Sequence, residues 1–281
     1  MTAFQLTCVA VVALYWVVRL ARAPARERGR IAVRLTLLSI AGWVGEDTVI
    51  RAYGFYGYSA SWSLILDRAP LLVACIWPIV IDSASQLARR IAPHRVVLAT
   101  AALVLADAAL IEPISVRAGL WAWAQPGVFA VPLIGVAGWA MFAGAAVAFL
   151  TAVDRRRAAA WVDAGVILIA PLATHAMLVA AWWGAFKWAS APLPDWVAVA
   201  AAWGISMALA WTAARSGIGA RVPLAELLVR LPGAAVFFVL LFVSARGSVA
   251  LVAWALAFVP PYLALVTRGA PDALATADPS R

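Results

Sequence analysis

The chain has 281 residues, of which 65% are hydrophobic and only 12% are charged, and its formal net charge is +9. About a quarter of the residues of a soluble globular protein are charged, so a soluble fold of this length could not bury this much apolar surface. The basic residues stand in short clusters between apolar runs, which is typical of membrane-protein loops and not of a nucleic-acid-binding face. We therefore exclude nucleic acid as a partner and expect the lipid bilayer to be the solvent.

The apolar runs predict an all-α protein, a polytopic transmembrane helical bundle with about eight to nine spans. Each run is long enough to cross about 30 Å of hydrocarbon as a helix. Arg230 and Pro232 interrupt the start of the eighth run. We assign residues 1–269 to a single transmembrane domain and the polar residues 270–281 to a disordered cytoplasmic tail. The predicted spans are residues 2–20, 31–50, 69–88, 96–116, 128–152, 162–186, 196–214, 228–245 and 248–267.

The distribution of arginine predicts the orientation of the chain. Arg19, Arg22 and further arginines follow the first apolar run instead of preceding it, so this run is not a cleavable signal peptide. With the N-terminus outside, alternating loops carry most of the basic residues on the inner side, as the positive-inside rule requires. We predict a multi-pass protein of the bacterial cytoplasmic membrane, with its N-terminus outside and its C-terminus in the cytoplasm.

Carboxylic acids inside the spans are the main candidates for chemistry, since each ionised one costs about 2.5–3.5 kcal/mol at a helix centre. Glu46 and Asp107 have no basic residue nearby on their own helices, and Glu112 lies on the same span as Asp107. With a rise of ~1.5 Å per residue, all three reach the outer half of the membrane. We predict Asp107, Glu46 and Glu112 as catalytic residues, with Asp107 or Glu46 as the proton donor and Glu112 as its partner.

Four other polar residues within or beside the spans are secondary candidates, each with a structural explanation. Asp47 and Arg51 have the i,i+4 spacing of a helical ion pair. Asp82 is suited to anchoring the inner end of its helix. His175 is expected to be a hydrogen-bonded packing residue.

Two outer loops, residues 53–62 and 119–127, are rich in aromatic residues and glycine. An interfacial belt explains most of the 15 tryptophans, but these loops are denser than a belt requires. Aromatic faces stabilise a desolvated cation by about 2 kcal/mol or more. Together with a protonated carboxyl they suit carbocation chemistry on an isoprenoid, with substrate contacts from Tyr56, Tyr58, Trp121 and Trp123.

Metal and cofactor chemistry is poorly supported by the sequence. The chain has only two histidines, His94 and His175, no Gly-rich phosphate loop and no Asp-rich pattern for magnesium diphosphate. Addition of water to a double bond, or ring closure, is redox-neutral. We therefore predict no metal and no cofactor.

Two stretches resemble the membrane-bound carotenoid 1,2-hydratase family of carotenoid biosynthesis. They are EDTVIRAYGFYGYSASWSLILDRAPLLVACIWP (46–78) and DAALIEPISVRAGLWAWAQPGVFAVPLIGVAGW (107–139). The resemblance implies hydration of the terminal double bond of an acyclic carotenoid, and it adds Trp77 and Trp139 to the expected substrate contacts. The match is carried by Glu46, Tyr58, Pro70, Trp77, Asp107, Glu112, Pro113, Trp121, Trp123, Pro132, Gly138 and Trp139.

The chain departs from that family's pattern at Gly135, near a position where the family tends to have Asn before Gly-Trp. Two alternatives to hydration therefore stay open. One is a cofactor-free terpene cyclase or isomerase that uses the same acid and aromatic rings. The other, from a different class, is a proton-coupled transporter or lipid-binding membrane protein, although no inverted repeat is visible. The expected partners are the bilayer and an apolar isoprenoid or carotenoid substrate.

Overall fold

The computed structural model describes residues 1–188, 193–244 and 247–266. Short 3-10 helices cover Pro93–Arg95, Ala160–Gly165 and Ile218–Arg221, and a π-helical turn covers Trp182–Phe186. The strands are β1 (Tyr56–Tyr58), β2 (Ile65–Leu66), β3 (Ala69–Pro70) and β4 (Trp121–Trp123). The α-helices are α1 (Ala3–Ala21), α2 (Ala25–Tyr53), α3 (Leu71–Ile91), α4 (Val96–Arg117), α5 (Leu133–Arg155), α6 (Val166–Ala181), α7 (Asp195–Ser216), α8 (Leu224–Leu228), α9 (Leu231–Ser244), α10 (Val249–Leu256) and α11 (Val259–Val266).

The predicted polytopic helical bundle is confirmed. In the part of the chain that the structure describes, eight helical segments are long and apolar enough to cross a membrane. Helix α2, with 29 residues, has the length of a further span, but it is more charged than those eight. The predicted tail at 270–281 lies outside the described residues. The eight segments are Ala3–Ala21, Leu71–Ile91, Pro93–Arg117, Leu133–Arg155, Ala160–Phe186, Asp195–Ser216, Leu224–Ser244 and Val249–Val266.

The last two spans are each divided into two helices. The break between α8 and α9 falls at Val229 and Arg230, beside the predicted interruption. The break between α10 and α11 precedes Pro260 and Pro261, which occupy the first turn of α11. Proline is tolerated there because the first amides of a helix have no intrahelical acceptor.

Helix α3 is the most buried of the eight candidate spans, and it packs against α2 and α4. Helix α2 also packs against α6, and α5 packs on α4 and α6. Helices α1 and α9 contact each other on one side, and α7 packs against α10 and α11. The largest apolar cluster lies between the central helices and includes Leu38, Trp77, Ile81, Val104, Phe142, Val147 and Val166.

The two ends of the bundle differ in chemistry. The start of α1 lies beside the first aromatic loop, because the Gln5 side chain bonds to the backbone of Ser61 and Ser63. The opposite end carries an ion-pair network in which Arg34 lies 2.5 Å from Asp154 and 2.9 Å from Asp163. This network connects the start of α2 to the end of α5 and to the start of the span Ala160–Phe186. The side of the membrane that each end faces stays a prediction.

A second ion pair involves Asp107. No basic residue lies near this carboxyl on its own helix, and its cationic partner comes from a distant part of the chain. Arg230, from the break between α8 and α9, donates to both Asp107 oxygens at 2.6 and 2.5 Å and to Ser83 Oγ at 2.8 Å. Both side chains are mostly buried, with exposed fractions of 12% for Arg230 and 19% for Asp107. The pair joins α3 and α4 to the C-terminal helices, with the Tyr262 hydroxyl also within bonding distance of Arg230.

We expect Asp107→Asn to lower the free energy of unfolding by about 3–5 kcal/mol, because it leaves Arg230 as an uncompensated buried charge. The double variant Asp107→Asn/Arg230→Met should regain most of this loss, since neither charge then remains. Unfolding of the purified protein in detergent measures both values. Equal losses in the single and double variants would contradict the assignment of the pair as a structural connection.

Candidate functional site

The site begins in the two aromatic loops, which pair as a small antiparallel sheet. Strand β1 pairs with β4 in the register Tyr56↔Trp123, Gly57↔Ala122 and Tyr58↔Trp121. The Trp62 indole holds the same loops together by donating to the Leu120 carbonyl at 2.8 Å. Residues 56 and 58, and likewise 121 and 123, lie on one face of the sheet because side chains alternate along a strand. Four rings therefore face the bundle together.

Glu46 of α2 receives three hydrogen bonds from neutral groups. It is 7% exposed. The Tyr58 hydroxyl donates to Oε2 at 2.9 Å, and the Tyr56 hydroxyl donates to the same oxygen. The Trp77 indole of α3 donates to Oε1 at 2.9 Å.

Glu112 of α4 is held in the same manner by three indoles. It is 2% exposed. Trp121 and Trp123 donate to Oε2 at 2.7 and 2.9 Å. Trp139 of α5 donates to Oε1 at 2.8 Å. All three observed partners of this carboxyl are therefore indoles.

The six donor rings form three pairs, and each pair joins the two carboxyls. In each pair, one ring donates to Glu46 and the other to Glu112. The ring centroids are 4.7 Å apart for Tyr56 and Trp123, 5.7 Å for Tyr58 and Trp121, and 4.8 Å for Trp77 and Trp139. We call the two carboxyls and these six rings the aromatic cage.

Two glycines make room for the rings of the cage. A Cβ atom at Gly42 of α2 would lie 2.6 Å from the Trp77 ring, and one at Gly135 of α5 would lie 2.5 Å from the Trp123 ring. Both distances are far below van der Waals contact. Gly135 is the position at which the sequence departs from the hydratase pattern, and in this protein the Trp123 ring occupies the space that a side chain there would need.

The cage lines a cavity of about 90 Å³. Both carboxyls and all six predicted aromatic residues line it. Most of the remaining wall is apolar and includes Phe4, Val49, Phe55, Val73, Ile76, Ile111, Ile134, Phe142, Leu178 and Phe237.

His175 of α6 also lines this cavity. Its Nδ1 atom lies 2.8 Å from the Tyr53 hydroxyl, and its Nε2 atom lies 2.9 Å from the Thr48 hydroxyl. Thr48 also donates to the Val44 carbonyl at 2.6 Å. Because the Thr48 proton is engaged there, Nε2–H is the donor to Thr48 and Nδ1 accepts from Tyr53. His175 is thus fully hydrogen-bonded in its neutral form, and its role in the cavity wall stays a prediction.

The other sequence candidates lie outside the cavity wall. Asp47 pairs with Arg51 at 2.7 Å, as the spacing predicted, and it also accepts from the Arg68 amide at 3.1 Å. Asp82 pairs with Arg19 at 2.6 Å and accepts from the Tyr15 hydroxyl, so it ties α3 to α1. Asp107 does not line the cavity and is held by Arg230. The structure therefore separates Asp107 from Glu46 and Glu112.

Burial acts on the two tyrosines of the outer sheet. It raises the pKa of the Tyr56 and Tyr58 hydroxyls well above their ordinary value, and their hydrogen bonds to Glu46 add to this effect. The two phenols therefore keep their protons at neutral pH and remain hydrogen-bond donors.

The sequence analysis did not identify Gly42, Thr48 or Tyr53 as part of the site. Gly42 could have been found, because it stands four residues before Glu46 and so shares its helix face. Thr48 and Tyr53 bond to a histidine more than 120 residues away, for which the sequence carries no signal.

In the described part of the chain, no group of three His, Cys, Asp or Glu side chains could hold a metal ion. The site instead presents acids and neutral donors in an apolar cavity.

A family model described as "Carotenoid biosynthesis protein" matches residues 2–209. The chain belongs to this family.

The matched region contains the whole aromatic cage, whereas Arg230 and the last four helices lie beyond it. Membership of the carotenoid biosynthesis family supports a role in carotenoid modification. Comparison with curated proteins and with solved structures gave no match.

We expect Gly135→Ala to destabilise the protein by about 1–3 kcal/mol, because the added methyl group overlaps the Trp123 ring. Gly138→Ala, one turn further along α5, is the matched control. A Cβ atom there would lie 3.6 Å from Leu178, an ordinary contact. Unfolding in detergent, followed by tryptophan fluorescence, compares the two variants. Equal free energies of unfolding for the two variants would contradict the close packing of Trp123 on α5.

Proposed function

We propose that this protein hydrates a terminal double bond of an acyclic carotenoid in the membrane, without a cofactor. The observation that carries the proposal is the aromatic cage. It holds two buried carboxyls in the wall of one apolar cavity, and the neutral hydrogen-bond donors to these carboxyls all come from its six aromatic side chains.

The neutral surroundings of the two carboxyls favour proton transfer. All their observed partners are hydroxyl or indole groups. Ionising both carboxyls would bury two like charges with no countercharge, which is costly even when each accepts hydrogen bonds. We therefore infer that one carboxyl of the pair holds a proton in the resting enzyme.

The reaction then needs only groups that line the cavity. The protonated carboxyl gives its proton to the less substituted carbon of the double bond, and the electron pair of that bond forms the new C–H bond. A tertiary cation results at the neighbouring carbon. Aromatic faces stabilise such a cation, by about 2 kcal/mol or more in a dry site. Water adds to the cation and loses a proton to a carboxylate, which gives a tertiary alcohol and restores the acid.

The substrate class follows from the cavity and from the family. The wall is largely apolar, and the protein is a multi-pass membrane protein of the carotenoid biosynthesis family. An acyclic carotenoid dissolves in the same lipid and carries a trisubstituted double bond at its end. We further propose that the enzyme works in a bacterial cytoplasmic membrane with its N-terminus outside.

Ring closure is a second candidate reaction, and Gly135 is the observation that favours it. An amide side chain at this position could hold water, but the Trp123 ring fills the space. Capture of the cation by another double bond of the same substrate would then compete with water. The acid, the cation and the rings would be the same in both reactions.

We expect a lycopene-producing bacterial host that expresses this protein to accumulate a product heavier by one water. Glu46→Gln and Glu112→Gln should each reduce its yield by at least about a hundredfold, the lower range for loss of an acid–base group. Mass spectrometry of the extracted pigments measures the yield. The matched control is Glu27→Gln, which changes an exposed carboxyl at the other end of α2.

The outcomes separate the candidate reactions. A product of unchanged mass and altered retention, lost in both cage variants, would replace hydration by ring closure or isomerisation. A hydrated product that persists in both variants would contradict the assignment of the cage as the reaction site.

A further inference from the structure

The two carboxyls of the cage differ in the kind of donor that holds them. Two of the three groups on Glu46 are phenol hydroxyls, and the third is an indole. All three groups on Glu112 are indoles. A hydroxyl can donate and accept at once and its proton rotates, whereas an indole N–H can only donate. The two sites therefore have different capacities to accommodate a proton.

Glu112 is suited to staying ionised. Its Oε2 atom accepts from Trp121 and Trp123, which together use both lone pairs of that oxygen, and Oε1 accepts from Trp139. None of these indoles can turn round to accept a proton from the acid form. Protonation of Glu112 would thus weaken bonds that no rearrangement of its partners restores.

Glu46 can alternate between its two forms with little movement. Both phenol hydroxyls lie within hydrogen-bonding distance of Glu46 Oε2, so both can donate to it when Glu46 is ionised. When it is protonated, rotation of one phenol hydroxyl provides an acceptor for the acid proton. The raised pKa values of both tyrosines, caused first by burial, keep them as phenols throughout. The phenols can then pass a proton on without becoming ions.

We infer that Glu46 carries and delivers the proton, that Tyr56 and Tyr58 return it, and that Glu112 remains a carboxylate opposite the cation. This assignment rests on the proposed function. Glu46 gives its proton to the alkene carbon and becomes a carboxylate. When water adds to the cation, its proton passes to a phenol oxygen while that phenol's own proton moves to Glu46. One water is consumed, and both carboxyls end in their starting states.

Infrared spectroscopy tests the resting protonation states without any substrate. A protonated carboxylic acid has a C=O stretch that is distinct from the carboxylate bands and shifts in D₂O. We expect such a band in the wild-type protein and in Glu112→Gln, and its loss in Glu46→Gln. Its loss in Glu112→Gln with retention in Glu46→Gln would overturn the assignment. Absence of the band in the wild-type protein would also overturn it.

The tyrosines provide the second test. Tyr56→Phe and Tyr58→Phe each remove a hydroxyl from Glu46 and keep the ring. We expect each to shift the frequency of the acid band and to change the ratio of turnover rates in H₂O and D₂O. Trp123→Phe, which removes a donor from Glu112, is the comparison and should leave the frequency of the acid band unchanged. If both tyrosine variants keep the wild-type frequency of the acid band and the wild-type ratio of turnover rates, the two tyrosines do not return the proton.

The two proposals can fail separately. If the purified wild-type protein leaves acyclic carotenoids unchanged while the infrared band follows Glu46, the protonation assignment holds and the hydratase proposal is wrong. If the protein hydrates the substrate while the band follows Glu112, the reaction holds and the inference is wrong. Size-exclusion profiles identify any variant that has lost its fold.

Discussion

The organisation of this protein depends on the need to satisfy two carboxyls buried within the helical bundle. A carboxyl in an apolar medium must be paired with a charge or accept several hydrogen bonds. Glu46 and Glu112 accept several hydrogen bonds each, from six aromatic side chains that contact one another in pairs. A tyrosine or tryptophan side chain is suited to this arrangement, because it combines a hydrogen-bond donor, an apolar body and an aromatic face that can stabilise a cation. The same contacts that satisfy the two buried carboxyls also place six aromatic rings beside them, an arrangement that suits the proposed cation chemistry.

Three other acidic residues inside the bundle have cationic partners. Asp82, Asp107 and Asp163 each lie against arginine, and each of these pairs connects helices that are distant in sequence. Their role is to hold the bundle together around the cage. The contrast between carboxyls with cationic partners and carboxyls with neutral partners separates structural acids from candidate catalytic ones. A neutral partner leaves the proton free to move, whereas an arginine fixes the charge.

The C-terminal helices complete the bundle from outside the region matched by the family model. Arg230 joins their first break to Asp107, and the Trp254 indole donates to the Ala109 carbonyl at 2.8 Å. Both contacts are made to α4, the helix that carries Glu112. The segment beyond residue 209 therefore supports the helix on which half of the cage is built, although it supplies little of the cavity wall apart from Phe237.

The membrane class, the approximate spans and the residues of the cage could be predicted from the sequence, because long apolar runs, carboxyls within them and dense aromatic motifs are local features. Glu46, Glu112 and all six rings were identified before their contacts were known. The tertiary structure was needed to show that Asp107 has a charged partner, since Asp107 and Arg230 are 123 residues apart. It also decided the pairing of β1 with β4, because strands of three residues are too short for a hydrophobic pattern to predict. Burial and pairing depend on helix contacts distant in sequence, and so no local pattern encodes them.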